Sequence, residues 1–511
     1  MYNCWHIKMN TPHLFSHFTS LPDELMLIIF KSLDTVDAFS FININERFNN
    51  ILYDAEIINH LQLFRLSENK RIDPLDDELI NRFCSQILPA IHHKIEWLDL
   101  ESSSIERILL ATTYDNLFGI GLWNMDAMRA LYLFYSKHSV LHLLKKQISS
   151  ISIKINDPQR PLIENAAKNI FQYVLAMFPN LYRLSFETSI YCEYMSLDHL
   201  AQTICYSNLL QLYVTLQYFE DCLHLLDGHF NQLHTLYINL STIHSDQVIY
   251  NEKKLYNLKC LSLTCDVITN KYDELIVPLI RRMSNLEQLS LYLQISHNRT
   301  FIDGNDLRKN IMDYLLNLQQ FRCNIYSFIF IDNAIDLPSN EDVQCNLGNN
   351  QIISYVSYFP KNKMGLCNIC SYSSSKTIKY YYYITNNFPG GLFKYVQQIL
   401  LYDEYPFEHE FFIRISESFP IITYLSLTNP TSQKKKQSQP TNLPIVKFNH
   451  LNKLSFDDVH DDYIEQFLFD TKTYLPNKVL LGIELVQLQI VTNNFTRLET
   501  RNNCAKLGYQ Y

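Results

Sequence analysis

One phrase, apolar-x-x-apolar-x-apolar, keeps returning along this chain, and its spacing restricts the fold more than any other feature. It reads IEWLDL (95–100), LYRLSF (181–186), LLQLYV (209–214), LHTLYI (233–238), LKCLSL (258–263) and LEQLSL (286–291). It returns as VQQILL (396–401), ITYLSL (422–427), LNKLSF (451–456) and LVQLQI (485–490). The second apolar positions of the regular run are Leu184, Leu212, Leu236, Leu261 and Leu289, at spacings of 28, 24, 25 and 28 residues. After a gap come Ile399, Leu425 and Leu454, at spacings of 26 and 29. The alternation closing each phrase predicts a short strand. Between phrases, LIENAAKNIFQYVLAMFPN (162–180) and YDELIVPLIRRMSN (272–285) have helical spacing. A strand–helix unit this small cannot bury its own faces, whereas stacked neighbours share one continuous core.

The competing arrangement, a doubly wound α/β domain, needs glycine-rich turns between strand and helix. The chain has only 10 glycines, about 2 % where roughly 7 % is average. Gly119 and Gly121 are a close pair, but Asn124 stands where a phosphate-cradling loop needs its third glycine. A nucleotide-binding enzyme is therefore not expected. The net charge of −9 provides no overall basic footprint for nucleic acid. Hydrophobic residues at 47 % against 19 % charged supply enough apolar surface to offset chain entropy. No run of 18 apolar residues predicts a membrane span, and the N-terminus has no signal-peptide pattern. The 12 cysteines form no disulfide framework. The sequons at Asn239, Asn298 and Asn494 are then chance matches, and the expectation is a reduced, soluble protein of cytoplasm or nucleus.

A helical module precedes the repeats: LPDELMLIIFKSLDTVDAFSFININERFNNILYDAEIINHL from Leu21. Pro22 suits a first helical turn, and Asp23 and Glu24 suit the positive end of the helix dipole. Leu25, Ile28, Ile29 and Leu33 make one apolar stripe. Asp34 and Thr35 can end this helix and cap the next. A second segment carries Val36, Ala38, Phe39 and Ile42, and a third carries Phe48, Ile51 and Leu52. So short a module makes a poor independent core, so part of its apolar surface should pack on the rest of the chain or on a partner.

These residues resemble an F-box. Leu21, Pro22, Glu24, Leu25, Ile29, Phe30, Leu33, Asp37, Ala38, Arg47 and Phe48 fall on positions of that motif. The closing Val-Cys-basic-x-Trp of many members is represented by Ile44, Asn45, Glu46, Arg47 and Phe48. The resemblance implies docking to a Skp-type adaptor and, through it, to a cullin–RING ubiquitin ligase. Leu21, Pro22, Leu25, Ile29, Leu33 and Phe48 are the expected contact set. The period of the later phrase resembles leucine-rich repeats, although the family's asparagine after the strand is mostly missing. The expected fold is α/β: an F-box at 15–65, then an irregular leucine-rich-repeat solenoid, a horseshoe with arcs at 90–325 and 396–511. Residues 326–395 lose the phrase and read as an irregular segment or insertion. KKKQSQPTN (434–442) reads as an exposed loop.

Chemistry-bearing constellations are weak. Cys367 and Cys370 form one CxxC, and Cys345 and His409 could complete four zinc ligands only at an unfamiliar spacing. His409–Glu410 lacks a second histidine, since Ile413 stands there. Asp457, Asp458, Asp461 and Asp462 around His460 are explained as carboxylates at a helix start. Tyr380 to Tyr383 could form a recognition patch or alternate in a strand. No metal, cofactor or catalytic residue is expected. The leading expectation is a non-enzymatic adaptor presenting a protein substrate on the strand-lined face. The residues exposed there, from strand alternation, would be Ser185, Tyr213, Tyr237, Ser262, Ser290 and Ser426. The alternative is an interaction scaffold outside ubiquitin transfer, whose N-terminal helices would pack back onto the repeats. A metal-dependent enzyme around Cys367 and Cys370 is the third reading.

Overall fold

The computed structural model describes residues 20–508 apart from 43, 68–70, 157–164, 189–194, 198–207, 227–229, 245–253, 297–299, 332–336, 345–351, 372–378 and 435–443. It is a mixed α/β protein: helices at the N-terminus, then a large sheet-rich region. The chain divides into two units, residues 1–241 with 257–261 and residues 242–256 with 262–511.

Unit 1 opens with α1 (Asp23–Ser32), α2 (Thr35–Phe39), α3 (Glu46–Leu52) and α4 (Ala55–Ile58). Side-chain caps start two of these short helices. Asp34 Oδ1 accepts from the Asp37 N–H at 2.8 Å, and Asn45 Oδ1 from the Phe48 N–H at 2.7 Å. Each satisfies a donor that the first helical turn leaves orphaned. The helices pack around aromatic rings: Phe30 meets Phe48 edge-on at 5.9 Å and Phe41 at 5.4 Å. The module is also anchored to residues 62–94 of the same unit. Phe39 packs on Phe83 at 5.9 Å, Thr35 Oγ1 accepts from the Gln62 N–H, and Lys94 Nζ donates to the Tyr53 carbonyl.

Seven parallel strands come next: β1 (His60–Leu63), β2 (Trp97–Glu101), β3 (Gly119–Met125), β4 (Ser150–Ile155), β5 (Arg183–Thr188), β6 (Gln211–Leu216) and β7 (Thr235–Leu240). Each pairs with the next in sequence. The second leucine of the phrase stays in register, Leu184 beside Leu212 beside Leu236. These leucines and their i+2 neighbours Phe186, Val214 and Ile238 are buried. Burying each stabilises the sheet by about 1.5–3 kcal/mol. Helix Ala166–Met177 contributes Phe171, which meets Phe186 edge-on at 5.6 Å. β3 and β4 lie outside the ten copies of the phrase. In β4 the alternation of SISIKI is the signal of a strand, with Ile151, Ile153 and Ile155 inward.

In unit 2, β8 (Cys260–Thr269) neighbours β9 (Gln288–Ser296), which pairs in parallel with β10 (Gln320–Phe330). An antiparallel hairpin then ends this run. Its second strand, β12 (Met364–Ser371), pairs with β10, and its first, β11 (Ile352–Phe359), lies at the edge. The described residues of the stretch expected to be an irregular segment or insertion thus include a paired hairpin. A six-stranded sheet comes after it in parallel order: β13 (Tyr380–Ile384), β14 (Gln398–Tyr402), β15 (Tyr424–Asn429), β16 (Lys453–Val459), β17 (Val479–Gly482) and β18 (Leu507–Gly508). Side chains link β11 to β13 and the turn after it. Tyr355 Oη donates to the Tyr383 carbonyl at 3.1 Å, Ser357 and Thr385 hydroxyls meet at 2.6 Å, and Asn387 Nδ2 donates to the Val356 carbonyl at 2.7 Å.

One expected strand is absent. LVQLQI lies in a helix, Leu485–Thr492, and the strand beside β16 is VLLG, where Leu481 pairs with Leu454. The apolar residues of LVQLQI satisfy helical spacing as well as alternation. With its strand place taken, the helix leaves Leu485, Val486 and Ile490 each more than 60 % exposed.

Candidate docking surfaces

Helix α1 has two unlike faces. Met26 and Phe30 are buried in the module, whereas Leu25 is 48 % and Ile28 62 % exposed. Ile44, after α2, adds 45 % exposure. Of the expected contact residues, Pro22 and Leu25 are exposed, and Leu21, Ile29 and Leu33 are half-buried. Phe48 is a correction: it is fully buried between Phe30 and Phe41 and belongs to the module's own core. Ile28, more exposed than Ile29, takes its place on the surface. Arg47 ties the two ends of the motif together. Its guanidinium donates to the Leu21 carbonyl and, through Nε, to Asp23 Oδ1 at 2.6 Å. The segment Leu21–Pro22 is thereby held at the N-terminus of α1.

The second surface is the face of the unit 1 sheet that carries no core leucines. Register places Gln62, Asp99, Gly121, Ser152, Ser185, Tyr213 and Tyr237 in one row across it. The adjacent row is His60, Trp97, Gly119, Ser150, Arg183, Gln211 and Thr235. Asp99 anchors one end. Its Oδ1 accepts from Trp97 Nε1 at 3.0 Å and Trp123 Nε1 at 2.8 Å, and its Oδ2 lies 2.7 Å from His60 Nε2. Burial raises the carboxyl's pKa, but the bonds from His60, Trp123 and Trp97 outweigh it and hold the group below the usual range. The two glycines make this packing possible. A Cβ on Gly119 would sit 1.9 Å from Trp97 Cε3, and one on Gly121 would sit 1.8 Å from Asp99 Oδ1. At the other end Tyr213 and Tyr237 stack with ring centroids 4.5 Å apart and planes at 15°. The Arg183 guanidinium lies 5.2 Å from the Tyr213 ring centroid. Burial pushes the Tyr213 phenol up while Arg183 pulls it down.

Three expected surface residues are not available. Ser185, Tyr213 and Tyr237 are half-buried on the open face, but Ser262, Ser290 and Ser426 are 5 %, 9 % and 1 % exposed. Alternation chose a face and could not show what covers it. Ser426 Oγ is occupied in donating to Asp457 Oδ2 at 2.7 Å.

The weaker constellations resolve as structure. Cys367 and Cys370 both lie in β12, three residues apart, so their side chains leave opposite faces of the strand. Both are buried, and burial pushes both thiols up, away from the thiolate that metal binding requires. Cys345 lies outside the described residues. His409 is buried, with Nε2 2.9 Å from the Pro444 carbonyl oxygen and Nδ1 3.2 Å from Gln466 Oε1. Asp461 and Asp462 open helix Asp461–Leu468, and Asp462 Oδ2 accepts from the Gln433 N–H. Among the described residues no three histidine, cysteine or carboxylate side chains gather as metal ligands, and no helix is long and apolar enough to cross a membrane. Tyr381 is buried, its Oη donating to Asn368 Oδ1 at 2.7 Å, while Tyr380 is 43 % exposed. Of KKKQSQPTN only Lys434 is described.

No curated protein matches the chain. Residues 18–60 match the F-box domain, a module that in general binds Skp-type adaptors within cullin–RING ligases for substrate recognition.

Proposed function

We propose that this chain is a substrate-recognition adaptor which performs no chemistry itself. Its F-box docks the Skp-type subunit, and the strand-lined face of its leucine-rich-repeat-like units receives a protein substrate. The observation that carries this reading is the division of α1: Met26 and Phe30 are buried, while Leu25 and Ile28 stay exposed on the opposite side. Apolar side chains left on a surface form the core of a partner interface. The parallel strand–helix units at repeating intervals support the repeat reading.

The scaffold alternative expects the N-terminal helices to pack back onto the sheet, and their inner side does. Phe39 meets Phe83, and Thr35 meets Gln62. A mere cap would have no use for the outer side, where Leu25, Ile28 and Ile44 remain exposed. The test is a pulldown of the full chain with a purified Skp-type adaptor, beside the double change Leu25→Asp, Ile28→Asp. Neither change enters the module's core, so folding is retained. Wild type should bind, and the variant should lose at least about 2 kcal/mol of binding, a hot-spot loss. A folded wild type that does not bind leaves the scaffold reading in its place.

A further inference from the structure

Three cationic or protonatable side chains stand on the open face of β1 to β7, and two have a carboxylate. His60 lies 2.7 Å from Asp99, and Lys154 lies 3.9 Å from Glu187. Arg183 has none among the described residues: its Nε is buried without a hydrogen-bond partner. Burying part of a guanidinium without an acceptor is costly unless something arrives to pair with it. The group is also held in place. It lies over the Tyr213 ring, which stacks on Tyr237. A planar fork fixed beside two rigid rings is pre-organised for a planar, bidentate acceptor.

The neighbours define the space around it. In the row of Arg183 stand Gly119 and Ser150, and one row on stand Gly121, Ser152 and Ser185. None has a side chain longer than a hydroxymethyl. Trp97 and Asp99 fill the space over Gly119 and Gly121, so the low floor beside Arg183 is Ser152 on β4 and Ser185 on β5, roughly 5 Å wide, one strand spacing. Trp97 and Trp123 rise on one side, and Tyr213 and Tyr237 on the other. Ser150, the neighbour of Arg183 on β4, is buried and is not part of this exposed floor.

We propose that this face binds an acidic, extended segment of the substrate protein, with an aspartate or glutamate carboxylate on Arg183 and an apolar neighbour against Tyr213 and Tyr237. The proposal rests on the adaptor reading for its biological meaning and not for its chemistry. A carboxylate fits better than a phosphate because one guanidinium matches one negative charge. A phosphate dianion needs further cations, and the next one, Lys154, stands with Glu187. Aromatic rings and an arginine are the side chains most often dominant at interfaces.

The test pans an unphosphorylated random-peptide library against the immobilised full-length chain and against Arg183→Glu, with Arg183→Gln as a milder second variant. Melting curves and Skp-type adaptor binding are measured on all three. The expected result is wild-type selection of peptides with Asp or Glu next to an aromatic or aliphatic residue. These should bind Arg183→Gln at least about tenfold more weakly, the loss of one charge-assisted contact. Arg183→Glu should instead enrich Lys or Arg. Acidic peptides that bind folded Arg183→Gln as well as wild type overturn the proposal, as does the absence of acidic enrichment on wild type. A synthetic pair with glutamate or phosphoserine at the selected acidic position separates the anions, and binding by the phosphopeptide alone overturns it too. Peptide selection without adaptor binding would leave this surface standing and remove the ubiquitin-ligase reading.

Discussion

At Asp99 two opposed effects act on one carboxyl group. Burial favours the neutral acid, and three donors favour the anion; the donors win. A group whose native pKa is lowered adds stability that is present above its unfolded value, near 3.9, and is lost as pH falls through the native value. Comparing wild type with Asp99→Asn by urea unfolding should therefore show a stability gap at neutral pH that shrinks below about pH 4. A gap independent of pH would mean that the network is held by shape and not by charge. None of this could be read from the sequence. Gly119 and Gly121 stood out as a failed nucleotide loop, when their smallness actually makes room for the side chains of the strand before. The pairing of residues 22 apart, Trp97 with Gly119 and Asp99 with Gly121, is a fact of register.

Among the elements, what was legible depended on whether a local pattern had one solution. The phrases from 95 to 291 became strands because their alternation puts the apolar positions on one buried face of the sheet. LVQLQI had two solutions, and pairing of VLLG with β16 decided between them. In the N-terminal helices the stripe of apolar residues was legible, but not which members face inward. Leu25, Ile28 and Ile29 belong to the outer side, Met26 and Phe30 to the inner. Phe48 likewise could not be told from a surface anchor, because the motif marks a residue type and leaves its direction open. The distinction is measurable. Phe48→Ala removes a ring packed between Phe30 and Phe41 and should cost about 3–5 kcal/mol of stability. Denaturant midpoints should fall for Phe48→Ala and hold for Leu25→Asp. A stable Phe48→Ala chain with lost adaptor binding would return Phe48 to the contact set.

Across unit 1 as a whole, helix α4 ends at Ile58 and β1 begins at His60. The single residue between them, Asn59, accepts on its carbonyl from the N–H groups of both Glu96 and Trp97, at 2.9 and 2.8 Å. The docking helices therefore run straight into the first rung of the ladder. Inserting a short Gly-Ser stretch after Asn59 should leave adaptor pulldown intact and lower ubiquitin transfer to a bound substrate, read in a reconstituted ligase assay. Equal transfer by the insertion variant would show that the junction carries no functional geometry.

That junction also bears on how the two surfaces of unit 1 cooperate. A flexible tether presents its cargo as a cloud of positions, with an effective concentration that falls as the tether lengthens. Asn59 replaces the cloud with one position. A substrate held on the face of β3 to β7 would meet the ligase at a fixed distance, so which of its lysines come within reach would be decided by geometry and not by chance encounter.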